Sequence, residues 1–124
     1  MINKQDYINA INQNIEMVRG DTLAFNFQLS GLGSRNAYEA LAVTFAVAEH
    51  YDNDKVIECV NGDGIGLVDY NAVKDTATFS VFVAPAKTKT LDLTRYYYDL
   101  QIKDTDNVIT LMRGYLTLLY DVAD

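Results

Sequence analysis

The chain has one cysteine, one proline and no tryptophan in 124 residues. A lone cysteine, Cys59, has no partner for an internal disulfide, which excludes the small secreted scaffolds that rely on disulfides in place of a large core. Basic residues are also scarce. Ten Lys and Arg against 17 Asp and Glu leave a net charge of −7. Nucleic acid and anionic membranes both recruit clusters of Lys and Arg, so the balance argues against either as a partner; on a globular surface such acidity serves solubility. No apolar run reaches the roughly 18 residues that suggest a membrane span. Met1-Ile2-Asn3-Lys4-Gln5-Asp6 lacks the basic start and apolar run of a signal peptide. The expected place of synthesis is therefore a cytoplasm, which the chain would leave only within a larger particle.

Reactive groups are equally few. His50 is the only histidine, so a triad or a histidine-rich metal site has no set of partners. Spacing leaves a His50–Cys59 dyad open, but Cys59 lies on a strand-like segment without a loop signature and reads as a small buried hydrophobe. Gly62-Asp63-Gly64-Ile65-Gly66 begins like a phosphate-binding loop. Leu67 then occupies the place of the required third glycine and a strand-like run follows, so a turn is the better reading. Asp52-Asn53-Asp54 and Asp104-Thr105-Asp106-Asn107 lack the glycine and distal glutamate of a calcium loop, and Asp and Asn are ordinary turn formers. Arg19-Gly20-Asp21 spells an integrin-recognition tripeptide. It sits between two strand-like segments and reads as a bend that Gly20 permits. No catalytic residue, cofactor site or metal site is predicted, and no enzyme.

What the chain does have is alternation. Leu23, Phe25, Phe27 and Leu29 alternate with Ala24, Asn26 and Gln28, the period of a half-buried strand. Leu41, Val43, Phe45 and Val47 repeat the pattern within residues 40–47, and there the other face carries Ala42, Thr44, Ala46 and Ala48. Small residues on a second face suggest close approach by another group. Residues 55–60, 65–70 and 76–83 read as further strands, and Asn61-Gly62 as a hairpin turn. Residues 31–36 read as loop. Residues 84–93, opened by Pro85, are the one interior helix candidate and suit a short crossover. Residues 96–103 and 108–120 flank the four turn formers at 104–107, an antiparallel hairpin. With hydrophobic content at 49%, enough apolar mass exists for one core. The expected fold is a single antiparallel β-sandwich, immunoglobulin-like or small-barrel-like, over residues 14–124. Residues 1–13 are expected to form an N-terminal arm or a short helix.

Contact candidates come from apolar groups without an evident core. Ile2, Tyr7, Ile8 and Ile11 precede the first clear strand, and exposed apolar groups mark interfaces. Tyr97 is the odd member of Tyr96-Tyr97-Tyr98, because strand geometry turns it away from its neighbours. Nine tyrosines also leave a second reading open, a carbohydrate-binding module that stacks sugars on exposed rings.

Three stretches carry a family resemblance. They are Arg19-Gly20-Asp21-Thr22 leading into the alternating strand to Leu29, Tyr96-Tyr97-Tyr98-Asp99-Leu100-Gln101-Ile102, and Val108-Ile109-Thr110-Leu111-Met112-Arg113-Gly114 with the strand that ends Tyr120-Asp121-Val122. In these the chain resembles the small β-sandwich proteins of tailed bacteriophages found in tail, baseplate and neck assemblies. The resemblance implies a non-enzymatic structural or adaptor subunit of a phage or prophage particle. It would act by protein–protein assembly with copies of itself or other virion proteins, as a homo-oligomer located in the virion. No catalytic residue carries over, and no receptor-binding head or coiled-coil stalk accompanies the domain.

Overall fold

A computed structural model describes residues 11–50 and 54–120. Two short strands, β1 (Ile11–Asn12) and β2 (Ile15–Val18), precede β3 (Leu23–Ser30) and the helix α1 (Arg35–Glu39). There follow β4 (Ala42–Ala48), β5 (Lys55–Asn61), β6 (Gly64–Asn71), β7 (Thr76–Val83), the one-turn helix α2 (Ala86–Lys89), β8 (Arg95–Lys103) and β9 (Val108–Leu119). The fold is all-β, as the alternation predicts.

The described strands form one sheet in the order β1-β9-β8-β4-β5-β6-β7-β3, with β2 also on the outside of β9. Chain connectivity forces this sheet to curl. β2 and β3 lie on opposite edges, about 34 Å apart in a flat sheet at the usual strand spacing. Only residues 19–22 join them, and that link can span at most about 17 Å. Curling brings the inner faces of the two ends together, and Phe25 of β3 meets Phe45 of β4 edge-on at 5.6 Å. The β9-β8-β4 and β7-β3 groupings follow the strand order of immunoglobulin-like sandwiches. The expected layering is corrected in two respects. The halves are continuous through β5 and β6, and the sheet is mixed, because β1 and β2 run parallel to β9.

Inner-face residues make the core. Val43, Phe45 and Val47 of β4, Tyr96, Tyr98, Leu100 and Ile102 of β8, and Ala77, Phe79, Val81 and Val83 of β7 are all buried. Each large apolar side chain removed from water contributes roughly 1.5–3 kcal/mol. Tyr96 stands at the start of β8, and its hydroxyl donates to the Asp92 carbonyl 3.0 Å away, the tyrosine-corner contact of Greek-key sandwiches. The predicted hairpin of residues 96–103 and 108–120 is present as β8 and β9, and Asp104 Oδ1 accepts the Asp106 and Asn107 N–H groups to close its turn.

Three local expectations are corrected. Asn61-Gly62 does not close an antiparallel hairpin: Val60 and Asn61 pair in parallel with Gly64 and Ile65, and the chain turns a corner into the other half of the sheet. Asn61 instead extends the end of β4, its amide donating to Leu41 O and its Oδ1 accepting the Val43 N–H. Residues 35–39, which begin in the stretch read as loop, form α1 because Ser34 caps it, its hydroxyl accepting the Ala37 N–H. The crossover helix is only Ala86–Lys89. The end of the stretch expected as an arm or short helix, residues 11 and 12, is extended as strand β1.

Candidate functional site

The small face of β4, where close approach by another group was expected, borders an open depression. Thr44, Ala46 and Ala48 point outward and floor a shallow depression of about 220 Å³. Strand pairing sets its wall: Gln101, Asp99 and Tyr97 of β8 lie directly opposite Thr44, Ala46 and Ala48. His50 and Lys55 stand at the rim, and Lys55 Nζ is 2.7 Å from Glu58 Oε2. Partial burial pushes the Asp99 carboxyl above the usual aspartate range, while Lys55 and Arg113 pull it down. Arg113 is the cross-strand neighbour of Asp99 on β9.

Tyr97 links this depression to a groove lined by Glu49, Thr94, Arg95 and Thr117. It packs on Tyr115, its cross-strand neighbour, with ring centroids 5.1 Å apart. The Arg95 guanidinium covers the other ring at 4.3 Å from its centroid. This face can receive small or flat groups of a partner. A second hollow of about 460 Å³ lies at the far end of the sheet, between Leu32, Ala37, Leu41 and Ala42 on one side and residues 103–105 on the other.

Of the predicted contact residues, Tyr97 faces outward as expected while Tyr96 and Tyr98 are buried. Ile11 is 63% exposed on β1, beside Met112 of β9. Ile2, Tyr7 and Ile8 lie outside the described residues. The described tyrosines do not gather on one face. Tyr38, Tyr96 and Tyr98 are core residues, Tyr97 and Tyr115 form the outward pair, and Tyr120 is exposed at the end of β9.

The reactive side chains hold the fold. Cys59 is buried on the inner face, its thiol 3.6 Å from Phe82 O, and burial raises its pKa. His50 is exposed on the outer face, so the sheet separates the two. Gly64 passes over Cys59 so closely that a Cβ there would lie 2.9 Å from Sγ. Arg19 donates to Leu91 O at 3.1 Å, Gly20 takes up φ +88°, and the Gly20 N–H donates to the buried Thr88 hydroxyl at 2.8 Å. The Arg19-Gly20-Asp21 segment is thus a bend docked on the α2 connection. Tyr38 is fully buried, its hydroxyl 2.8 Å from Asp75 O, and burial raises its pKa. Asp75 occupies the left-handed region at φ 51° and also accepts the Gly33 N–H, which ties the loop after β3 to the β6–β7 turn. Among the described residues no group of three or more His, Cys, Asp or Glu could hold a metal ion.

Sequence reasoning missed one further element, the seam at Gly114. The Gln13 N–H donates to Arg113 O at 2.9 Å, and the Gln13 carbonyl accepts the Tyr98 hydroxyl. A Cβ at Gly114 would overlap that carbonyl oxygen. The signal was available, because glycine inside a strand marks close backbone approach. What approaches could not be read from the pattern. In comparisons with known proteins, no family model and no characterised protein matches the chain.

Proposed function

We propose that this chain is a non-enzymatic structural or adaptor protein of a phage or prophage particle, acting through protein–protein assembly. The observation that carries the assembly reading is where its polar chemistry lies. Cys59, Tyr38 and Asp75 are engaged in packing and hydrogen bonds, while the outer face, with His50 and Lys55 at its rim, is left shallow with paired aromatics and small residues. Such a surface suits a docking partner, since Tyr and Arg are enriched where proteins meet. The scatter of the tyrosines favours assembly over a sugar-stacking platform.

The resemblance in residues 19–29, 96–102 and 108–122 supports the particle. Within the described residues these stretches build the turn between the sheet edges and the β8–β9 hairpin, so they are frame elements of one domain. In this reading Tyr97 and the exposed Ile11 are contact residues, and the chain resides in the virion. Mass spectrometry of density-purified tailed particles from a host carrying the gene tests this. The chain is expected in the particle fraction at a fixed ratio to other virion proteins. Recovery only from the particle-free lysate would overturn the reading.

A further inference from the structure

Among the described residues, the β3 edge lacks every usual device against strand pairing. Edge strands are normally shielded by charge, proline, a bulge or a covering segment. The β9 edge is covered by β1 and β2, and β5 carries Lys55, Glu58 and a register break at Val56. β3, Leu23-Ala24-Phe25-Asn26-Phe27-Gln28-Leu29-Ser30, pairs with β7 through eight consecutive registers without a break, and no other described strand pairs with it. In a chain of net charge −7, residues 22–34 contain no charged side chain. The core is also unfinished here. Leu23, Phe25 and Phe27 are only half-buried, whereas their partners Val83, Val81 and Phe79 are each 1% exposed.

We propose that β3 pairs antiparallel with β3 of a second copy of this chain, about a two-fold axis at Asn26. The inference rests on the assembly reading above and names its partner. Directly opposite residues of an antiparallel pair share a face, so inner residues must meet inner residues. An axis at Asn26 satisfies this: Phe25 falls opposite Phe27, Leu23 opposite Leu29, and Ala24 opposite Gln28, with Asn26 facing its own copy. The half-buried rings of the two copies then cover one another, a favoured cross-strand pairing. The two strongly acidic molecules meet along their uncharged segment, so no like charges on the strands are brought together. A two-fold contact of this kind is closed and yields a dimer. One strand pair buries less than the roughly 1,200 Å² of a standard stable interface, so the dimer should dissociate on dilution.

Sedimentation velocity of the full chain from micromolar to millimolar concentration tests the proposal, alongside three variants at exposed outer-face positions. Wild type is expected to pass from monomer to dimer. Asn26→Lys sets two ammonium groups across the axis and should weaken the dimer by at least about tenfold. Asn26→Cys should crosslink on oxidation, since directly opposite residues lie within disulfide reach. Gln28→Cys should not, because its copies would be about 13 Å apart along the strands. Far-UV circular dichroism checks that Asn26→Lys is folded; if it is not, the cysteine pair decides. A wild type that stays monomeric, an undiminished Asn26→Lys dimer, or equal crosslinking at 26 and 28 would overturn the proposal. An undiminished dimer would leave the assembly reading standing, which fails separately if the chain is missing from purified particles.

Discussion

The two edges of the sheet are finished differently. At the β9 edge, two short strands from the N-terminal side lie along the last strand and are held by hydrogen bonds from three directions. Gln13 N–H donates to Arg113 O, Tyr98 donates to Gln13 O, and the Tyr115 N–H donates to Asn14 Oδ1. At the β3 edge, β7 pairs with the strand on its inner side, and further contacts anchor the segments at its two ends. Thr88 holds the bend before it, and Tyr38 with Asp75 holds the loop after it. The lesson is that a strand can be fixed in place without being covered. One edge is completed by the chain itself, and the other is held rigid and left available.

The sharpest way to break this contrast is Gly114→Val. The added side chain would displace the Gln13 carbonyl and detach β1 and β2 from β9. A loss of about 3 kcal/mol is expected, read from urea denaturation. It should come with faster amide exchange at residues 15–18 and little change along β7. A loss under about 0.5 kcal/mol would show that the seam does not close that edge.

Thr88→Val tests the open edge in the same way. It keeps the shape and removes the hydroxyl that accepts the Gly20 N–H. A cost of about 1–2 kcal/mol is expected from the donor left without its partner. Exchange at Gly20 and Asp21 should rise while residues 15–18 stay protected, and the reverse pattern would contradict the assignment of anchors.

Tyr98→Phe is the smallest of the three, about 1 kcal/mol at neutral pH from one lost hydrogen bond. Its pH dependence is more telling. Burial raises the Tyr98 phenol above its ordinary pKa, so the folded state holds that proton more tightly than the unfolded state. The stabilisation is therefore complete below the ordinary tyrosine value near 10 and is lost as pH rises through the raised value. The gap between wild type and Tyr98→Phe should narrow above about pH 10, measured as paired urea midpoints. A gap that widens there would exclude the phenol as the donor.

Much of the fold was legible in the residues, for a simple reason. Period-two alternation reports which side of a strand faces a core, and Leu23 to Leu29, Val43 to Val47 and Phe79 to Val83 all keep it. The same rule turned Tyr97 outward. Where meaning depended on a partner distant in sequence, the reading went astray. Asn61 looked like a turn residue, but its amide serves Leu41 and Val43. Residues 35–39 carry too weak a pattern to announce a helix, and α1 gains its place from Tyr38, which is anchored at Asp75. The Ala46–Ala48 face was visible as small, but the depression it floors needs Tyr97, Asp99 and Lys55, brought in from two other strands.

Composition and alternation already determined an acidic all-β chain with one apolar interior. Those are local properties, set by which side chains leave water and by what the chain contains. Only the tertiary structure decided that β2 joins the β9 edge and leaves β3 with no described strand on its outer side, because strand pairing depends on how far four linking residues can reach and on a glycine that lets two backbones touch. The reach of the linker is written at no single position, and Gly114 marks a close approach without naming what approaches.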